Sequence, residues 1–262
     1  MNLDQIAPLA ARLEWTQSTG STNTDLVAAV RSDATAWPEF SVVGTDFQTG
    51  GRGRSGRQWQ APAGSSLFVS VLLKPPLDSI SNFGWLPLLA GLAARDIIAD
   101  LGLGAAASVK WPNDVLVGEQ KIAGVLSEFV PGVDAVVLGM GLNLTQSRQE
   151  LPIETATSLR LALGSAEADL PTRESVLAGY LKNLRQLYES LVANGFDADR
   201  SGLRARLLEA SSTVGRSVRA ILPGDAELLG VAKEIDAGGR LVISSDGKET
   251  TLAAADIVHL RH

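Results

Sequence analysis

The chain contains no cysteine, and its only two histidines, His259 and His262, stand at the extreme C-terminal end. The first absence excludes disulfides, thiolate metal sites and thiol nucleophiles. The second all but excludes a histidine-based triad or a multi-histidine metal site. No apolar run has membrane-spanning length; the nearest, Trp85 to Ile98, is short and carries Arg95 and Asp96. The opening Met1-Asn2-Leu3-Asp4-Gln5 lacks a basic stretch followed by an apolar one, so no secretory signal is evident. No internal repeat or low-complexity segment is present. A formal net charge of −6 and a pI near 5.0 argue against broad nucleic-acid binding. What remains for catalysis is Lys, Arg, Asp, Glu, backbone amides and Mg²⁺, most simply in the cytoplasm.

What is present is a foldable composition. With 262 residues, 45% hydrophobic and 20% charged, the chain can bury a sizeable core. Residues 2–13 read as a short amphipathic helix. Thr22 and Asp25 fit the ends of a capping box before Leu26-Val27-Ala28-Ala29-Val30. Strands are expected near 41–47 and 67–73, and a long helix over 83–101. Four strands follow, over 107–111, 114–117, 121–129 and 135–144, with a Pro131-Gly132 turn before the last. Helices resume near 172–194 and 199–210. Clustered strands with flanking helices point to an α+β fold with a mixed, mostly antiparallel sheet. After about residue 212 short strand-like runs, 214–221, 226–235, 241–245 and 249–252, are punctuated by Pro223-Gly224, Gly238-Gly239 and Asp246-Gly247. They read as a small β-barrel, with Asp246-Gly247 a type I′ hairpin turn. The expected domains are therefore 1–211 and 212–262.

Five segments carry candidate chemistry. In Gly51-Arg52-Gly53-Arg54-Ser55-Gly56-Arg57-Gln58-Trp59, arginines and glycines interleave. Glycine lets backbone N–H groups approach an anion, arginine adds permanent charge and a planar donor fork, and Trp59 offers a stacking face. The three spaced glycines also match a dinucleotide-binding fingerprint. That reading needs a helix opening at the loop's end, whereas Leu67–Leu73 reads as a strand. Lys110-Trp111-Pro112-Asn113-Asp114 reads, taken alone, first as an ordinary Pro-Asn-Asp turn and second as a polar constellation between strands. Lys121 opens an apolar strand in which Gly124 makes sense if something approaches closely. Gly139-Met140-Gly141-Leu142-Asn143 reads either as a pair of bulges or as a strand face cleared for something flat. Ser21-Thr22-Asn23 opens a helix and can cap it or bond a ligand there.

Taken in order, Ser21-Thr22-Asn23, Gln48 with the Arg/Gly loop, Lys110-Trp111-Pro112-Asn113-Asp114, Lys121-Ile122-Ala123-Gly124 and Gly139-Met140-Gly141-Leu142-Asn143 resemble the biotin protein ligases. The resemblance implies a class II synthetase-like catalytic domain followed by a C-terminal SH3-like barrel. It implies biotin and ATP as substrates with Mg²⁺, formation of biotinyl-5′-AMP, and transfer to one lysine of a biotin carboxyl carrier protein. By the same resemblance Ser21, Thr22, Asn23, Gln48, Gly51, Arg52, Arg54, Lys121, Gly124, Leu126, Gly139 and Gly141 fall on biotin-pocket positions. Arg52, Arg54, Arg57, Trp59, Asn113 and Asn143 fall on or near the phosphate and adenine positions. Lys121 and Arg54 are the expected catalytic pair, and Asp114 is a Mg²⁺ candidate beside a metal held by phosphates and water.

Larger members of that family add an N-terminal helix-turn-helix. Because Ser21-Thr22-Asn23 comes so early, the expectation is a monofunctional ligase that binds neither DNA nor membrane; a homodimer is left open. A lipoate-attaching ligase and a non-catalytic biotin or nucleotide sensor are the rivals. The Arg/Gly loop is expected to be mobile until biotinyl-AMP orders it. The region beyond residue 212 is expected to pack near the site, with truncation at Ser211 leaving a folded core.

Overall fold

Eight consecutive residues with no solvent-facing side, Ser66–Leu73, form the strand β3, and a strand buried on both faces must have layers above and below it. The computed structural model, which describes residues 2–166, 169–222 and 226–260, shows those layers. Strands β1 (Arg12–Thr16), β2 (Ser41–Thr45), β3, β4 (Ala107–Lys110), β5 (Asp114–Val117), β6 (Gln120–Val130) and β7 (Ala135–Asn143) make one seven-stranded sheet, in the order β1-β2-β3-β7-β6-β5-β4. Only β1 and β2 pair in parallel; all other neighbours are antiparallel. The mixed, mostly antiparallel α+β expectation therefore holds.

Helix α1 (Thr22–Ser32) covers part of one face: Leu26 and Val30 pack with Val43, Leu72, Val130 and Val137. The opposite face carries α2 (Trp85–Ile98), which is buried almost all round, so it forms a middle layer rather than an amphipathic surface helix. A single π turn, Ala99–Leu103, ends it, with Gly102 at φ 92°. Helices α3 (Leu159–Leu163), α4 (Arg173–Ala193) and α5 (Leu203–Ala210) follow, and α4 and α5 pack on α2. Each fully buried Leu or Ile in this layer contributes about 1.5–3 kcal/mol.

The C-terminal strands β8 (Ser217–Ile221), β9 (Glu227–Ile235), β10 (Leu241–Ser245), β11 (Lys248–Leu252) and β12 (Asp256–His259) form a second, antiparallel sheet in the order β11-β10-β9-β8-β12. Asp246 and Gly247, at φ 49° and 78°, join β10 to β11 as the hairpin signal implies. This sheet is not a loose appendage. The Trp85 indole N–H donates to Ala237 O at 2.7 Å and the Trp111 indole N–H to Gly239 O at 3.0 Å. Val218, Ala232, Leu241 and Ile243 belong to the same apolar core as α2. A cut at Ser211 would remove the acceptors of both indoles and part of this shared core.

Several local expectations are also corrected. Residues 2–13 are not a helix: a 3₁₀ turn at Ala7–Leu9 runs into β1, whose parallel pairing with β2 overrides the local periodicity. Helix α1 is capped from Ser21, not Thr22, and no side chain of its own caps it; Asp25 accepts from the Thr19 hydroxyl instead. Helix α3 and strand β12 fall outside the expected elements. The Pro223-Gly224 turn lies outside the described residues.

Candidate functional site

Beyond the reach of α1, the same sheet face opens into a cavity of about 600 Å³. Alternation along the strands decides what meets it. In β7, Leu138, Met140 and Leu142 point to the α2 core, so Gly139, Gly141 and Asn143 fall on the cavity side. The register of β7 with β3 and with β6 is unbroken there, so the two glycines are not bulges. Gly141 pairs with Gly124 of β6, and the two together leave a bare floor.

That floor is occupied by Trp59. A Cβ on Gly124 would lie 2.8 Å from the Trp59 ring, and one on Gly141 3.0 Å from it. The flat object expected over these glycines is thus, in this structure, a side chain of the protein itself. Gly139 clears space for something else: a Cβ there would sit 2.2 Å from Asn23 Oδ1.

The Arg/Gly loop is a small hairpin laid against the cavity. Arg52 bridges to Gln58, Gly53 N–H donates to Arg57 O at 2.7 Å, and Trp59 N–H donates to Gly51 O at 2.9 Å. Ser55 and Gly56 turn its tip with positive φ. The loop runs on to β3 and not to a helix, which removes the dinucleotide fingerprint reading. Gly51 alone among the expected site residues is not on the cavity wall. It sits at the hairpin base, where a Cβ would meet Trp59 O at 2.4 Å.

One end of the cavity is neutral and polar. Gln48 Oε1 accepts from Thr22 N–H at 2.9 Å and from the Thr22 hydroxyl at 3.3 Å, so a residue from another segment satisfies the first turn of α1. Asn23 Oδ1 accepts from the Ser70 hydroxyl at 2.6 Å, and its amide donates to Leu126 O and to Glu128 Oε2 at 3.2 and 2.8 Å. The other Glu128 oxygen holds Arg52 at 3.3 Å. This chain of bonds joins α1, β3, β6 and the hairpin, and Ser21, Thr22 and Asn23 are buried within it.

The other end is charged. Lys121 Nζ lies 2.5 Å from Asp114 Oδ1 and 5.1 Å from the Trp59 ring centroid. Its backbone is held by a segment outside the sheet: Lys121 N–H donates to Thr155 O, and Thr157 N–H to Lys121 O, at 2.7 and 2.8 Å. Asn143 fixes that segment through an amide bond to Thr157 O at 2.9 Å. Asn113 exchanges bonds with Val125, accepting from its N–H at 2.9 Å and donating to its carbonyl at 2.6 Å. Asn113 Oδ1 also receives Arg54 at 3.3 Å. Burial pushes the Arg54 pKa down, and Asp256 and Asp114 oppose that. Burial likewise lowers Lys110, against the pull of Asp114.

The C-terminal sheet completes the wall, as the expected packing of the region beyond residue 212 near the site implies, but the β12 residues that do so were not among the expected site residues. Asp256, Ile257, Val258 and His259 of β12 line the cavity; Asp256 pairs with Arg57, and Ala255 O accepts from Arg54 at 3.5 Å. Burial, then the charges of Lys110 and Arg216, lower the His259 pKa to about 4, so its ring is neutral at pH 7. No short-range pattern announced β12. Glu128 did leave a signal, as an acid between the apolar residues Leu126 and Val130 of β6, on the same strand face as Gly124 and Leu126. Among the described residues no group of three or more His, Cys, Asp or Glu side chains could hold a metal ion, and Asp114 is engaged by Lys121.

Residues 15–144 match the model of the biotin/lipoate A/B protein ligase family. The chain is 38% identical to a biotin–[acetyl-CoA-carboxylase] ligase of Mycobacterium tuberculosis, over 95% of this chain and 90% of that one. It is 29% identical to the bifunctional ligase/repressor BirA of Escherichia coli, over 77% of this chain and 61% of that one. The fold superposes on a biotin protein ligase from Aquifex aeolicus in complex with biotin and ATP, with a TM-score of 0.77 and 25% identity over 96% of this chain and all of that one.

Proposed function

We propose, from the premise that the chain belongs to the biotin/lipoate A/B protein ligase family, that it activates biotin with ATP and attaches it to protein. The carrying observation is the two-ended cavity, neutral around Thr22, Asn23 and Gln48 and cationic around Arg54, Arg57 and Lys121. A ureido ring is polar and uncharged and suits the first end; a carboxylate meeting a triphosphate suits the second.

In the first step a carboxylate oxygen of biotin bonds to the α-phosphorus and pyrophosphate leaves. The carboxylate is ionised at pH 7, so no general base is needed, which fits a site without His or Cys nucleophiles. Lys121 and Arg54 offset the repulsion between the two anions, and orientation supplies much of the rest. Arg52, Arg57 and Asn113 hold the nucleotide phosphates, and Trp59 offers its ring to the adenine. Asn143 acts by fixing the 155–157 segment that aligns Lys121. The hairpin shields the resulting anhydride from water. Mg²⁺ arrives with the ATP substrate, held mainly by its phosphates and water.

In the second step the amine of an acceptor lysine attacks the acyl carbon and AMP leaves. The acceptor is a biotin carboxyl carrier domain of the acetyl-CoA carboxylase type. Residues 1–211 serve as the catalytic domain and 212–262 as an SH3-like domain that closes the wall. No described helix is long and apolar enough to cross a membrane, and a cytoplasmic enzyme fits the cysteine-free composition.

The test is mass spectrometry of a carrier domain incubated with the purified protein, MgATP and either biotin or lipoate. A biotinyl mass gain is expected. A lipoyl gain would move the protein to the lipoate branch, and no gain with nucleotide bound would make it a sensor.

A further inference from the structure

Among the described residues, each backbone–backbone hydrogen bond of residues 51–59 stays within that stretch. Side chains fasten the hairpin to the rest of the molecule instead. Trp59 rests on Gly124 and Gly141, Arg54 reaches Asn113 Oδ1 and Ala255 O, Arg57 pairs with Asp256, and Arg52 pairs with Glu128. Glu128 is the anchor among these that also reaches α1. Its Oε1 accepts from Arg52 Nη1 at 3.3 Å, and its Oε2 accepts from Asn23 Nδ2 at 2.8 Å.

The ion pair does little for the fold. The Arg52 side chain is 55% exposed, and a partly exposed pair of this kind adds little to stability. Its use lies in placement. The Asn23 amide gives both of its protons to β6, one to Leu126 O and one to Glu128, while its oxygen accepts from Ser70. An ionised carboxylate offers acceptors alone, so Glu128 makes Asn23 turn its nitrogen toward β6 and its oxygen away. The same oxygen-only group attracts the Arg52 guanidinium. One side chain thereby sets both the Asn23 amide and the first arginine of the hairpin.

We propose that Glu128 is a positioning residue that latches the Arg/Gly hairpin to the first turn of α1, holding the hairpin closed over the acyl-adenylate while it fixes the Asn23 amide at the neutral end of the cavity. This rests on the adenylation reading given above. The two tasks need different things from the side chain. The bond from Asn23 needs an acceptor oxygen, which a neutral amide also offers. The pull on Arg52 needs a negative charge. Glu128→Gln keeps the first and turns an amide donor toward Arg52. Glu128 touches no reacting atom in this scheme. Its loss lets the hairpin open more often, so the adenylate escapes before the carrier arrives.

The experiment uses the full chain and three measurements: amide hydrogen exchange across residues 51–59 without added ligand, calorimetry with biotin, and a chase of bound biotinyl-AMP. Glu128→Gln should speed both hairpin exchange and biotinyl-AMP release about fivefold, the scale of one partly exposed ion pair, with biotin affinity changed less than about twofold. The melting temperature should not move. Glu128→Ala should match those losses and also weaken biotin about tenfold, because Asn23 then loses an acceptor and is free to turn. Unchanged exchange and release in Glu128→Gln overturn the proposal. So does a biotin loss in Glu128→Gln equal to that in Glu128→Ala, which would mean that charge, not an acceptor oxygen, holds Asn23. A wild-type protein that does not bind biotinyl-AMP would remove the ligase reading, and the exchange measurement, which needs no ligand, would still decide the latch.

Discussion

The two faces of β7 make opposite uses of one backbone. Toward α2, Leu138, Met140 and Leu142 are buried in a continuous apolar core; toward the cavity, Gly139, Gly141 and Asn143 offer space and one amide. Nothing but a period of two separates them. The comparison teaches that the site's precision is borrowed. Its floor is rigid because the alternate residues of the same strands lock the ladder from behind. Stability and activity should therefore fail separately when alternate residues are changed.

The largest expected effect is on the core side. Leu142→Ala removes a 2% exposed side chain that lies between Leu67 and Ala123 of the neighbouring strands. It should cost about 2–5 kcal/mol in denaturant unfolding, with turnover per folded molecule near wild type. A collapse of turnover in the still-folded fraction would mean that the faces are coupled. Next comes the cavity side: Lys121→Ala should slow pyrophosphate release at saturating biotin about a hundredfold, ~3 kcal/mol in the barrier. The melting temperature should move little, because the partly exposed pair with Asp114 contributes at most about 1 kcal/mol. Near wild-type turnover would remove Lys121 from the chemistry.

A milder probe is Gly139→Ala. Its new Cβ would force aside Asn23 Oδ1, which Ser70 and Glu128 help to hold. Biotin affinity should fall about tenfold, roughly 1.4 kcal/mol, and calorimetry would show an unchanged value if Asn23 is not part of the pocket. The smallest effect concerns His259, which belongs to both the second sheet and the cavity. Its folded pKa of about 4 lies below the ordinary 6.5, so the folded state refuses a proton that the unfolded chain accepts. Its share of stability is complete above pH 6.5 and drains away as pH falls from 6.5 toward 4. His259→Gln should flatten the melting-temperature slope in that window, and an unaltered slope would deny the burial effect.

Much of the fold was legible because long elements carry their own periodicity. The largely apolar runs of β3 and α2 and the hairpin chemistry of Asp246-Gly247 were readable in place. The short edge strand β1 was not: Arg12–Thr16 alternates polar and apolar residues over only five positions, too few to outweigh the helical reading of residues 2–13, and its pairing with Ser41–Thr45 is settled almost thirty residues away. The candidate site was legible as a set of motifs but not as an arrangement. That Gly124 and Gly141 admit Trp59, while Gly139 admits Asn23, depends on register between segments far apart in sequence. The contribution of β12 depends on how the second sheet docks through Trp85 and Trp111, which no local pattern encodes.

The indole of Trp59 also gives the molecule an optical gauge. Of the five tryptophans, Trp85 is sealed in the interior away from the cavity, and its emission should stay constant. Trp59 is half-exposed, lies near an ammonium, and rests on the floor that a ligand must share. Anything that covers or shifts the ring changes its solvent shell and its quenching. Occupancy of the cavity can therefore be followed in the unlabelled protein, in real time, from the change in native tryptophan emission.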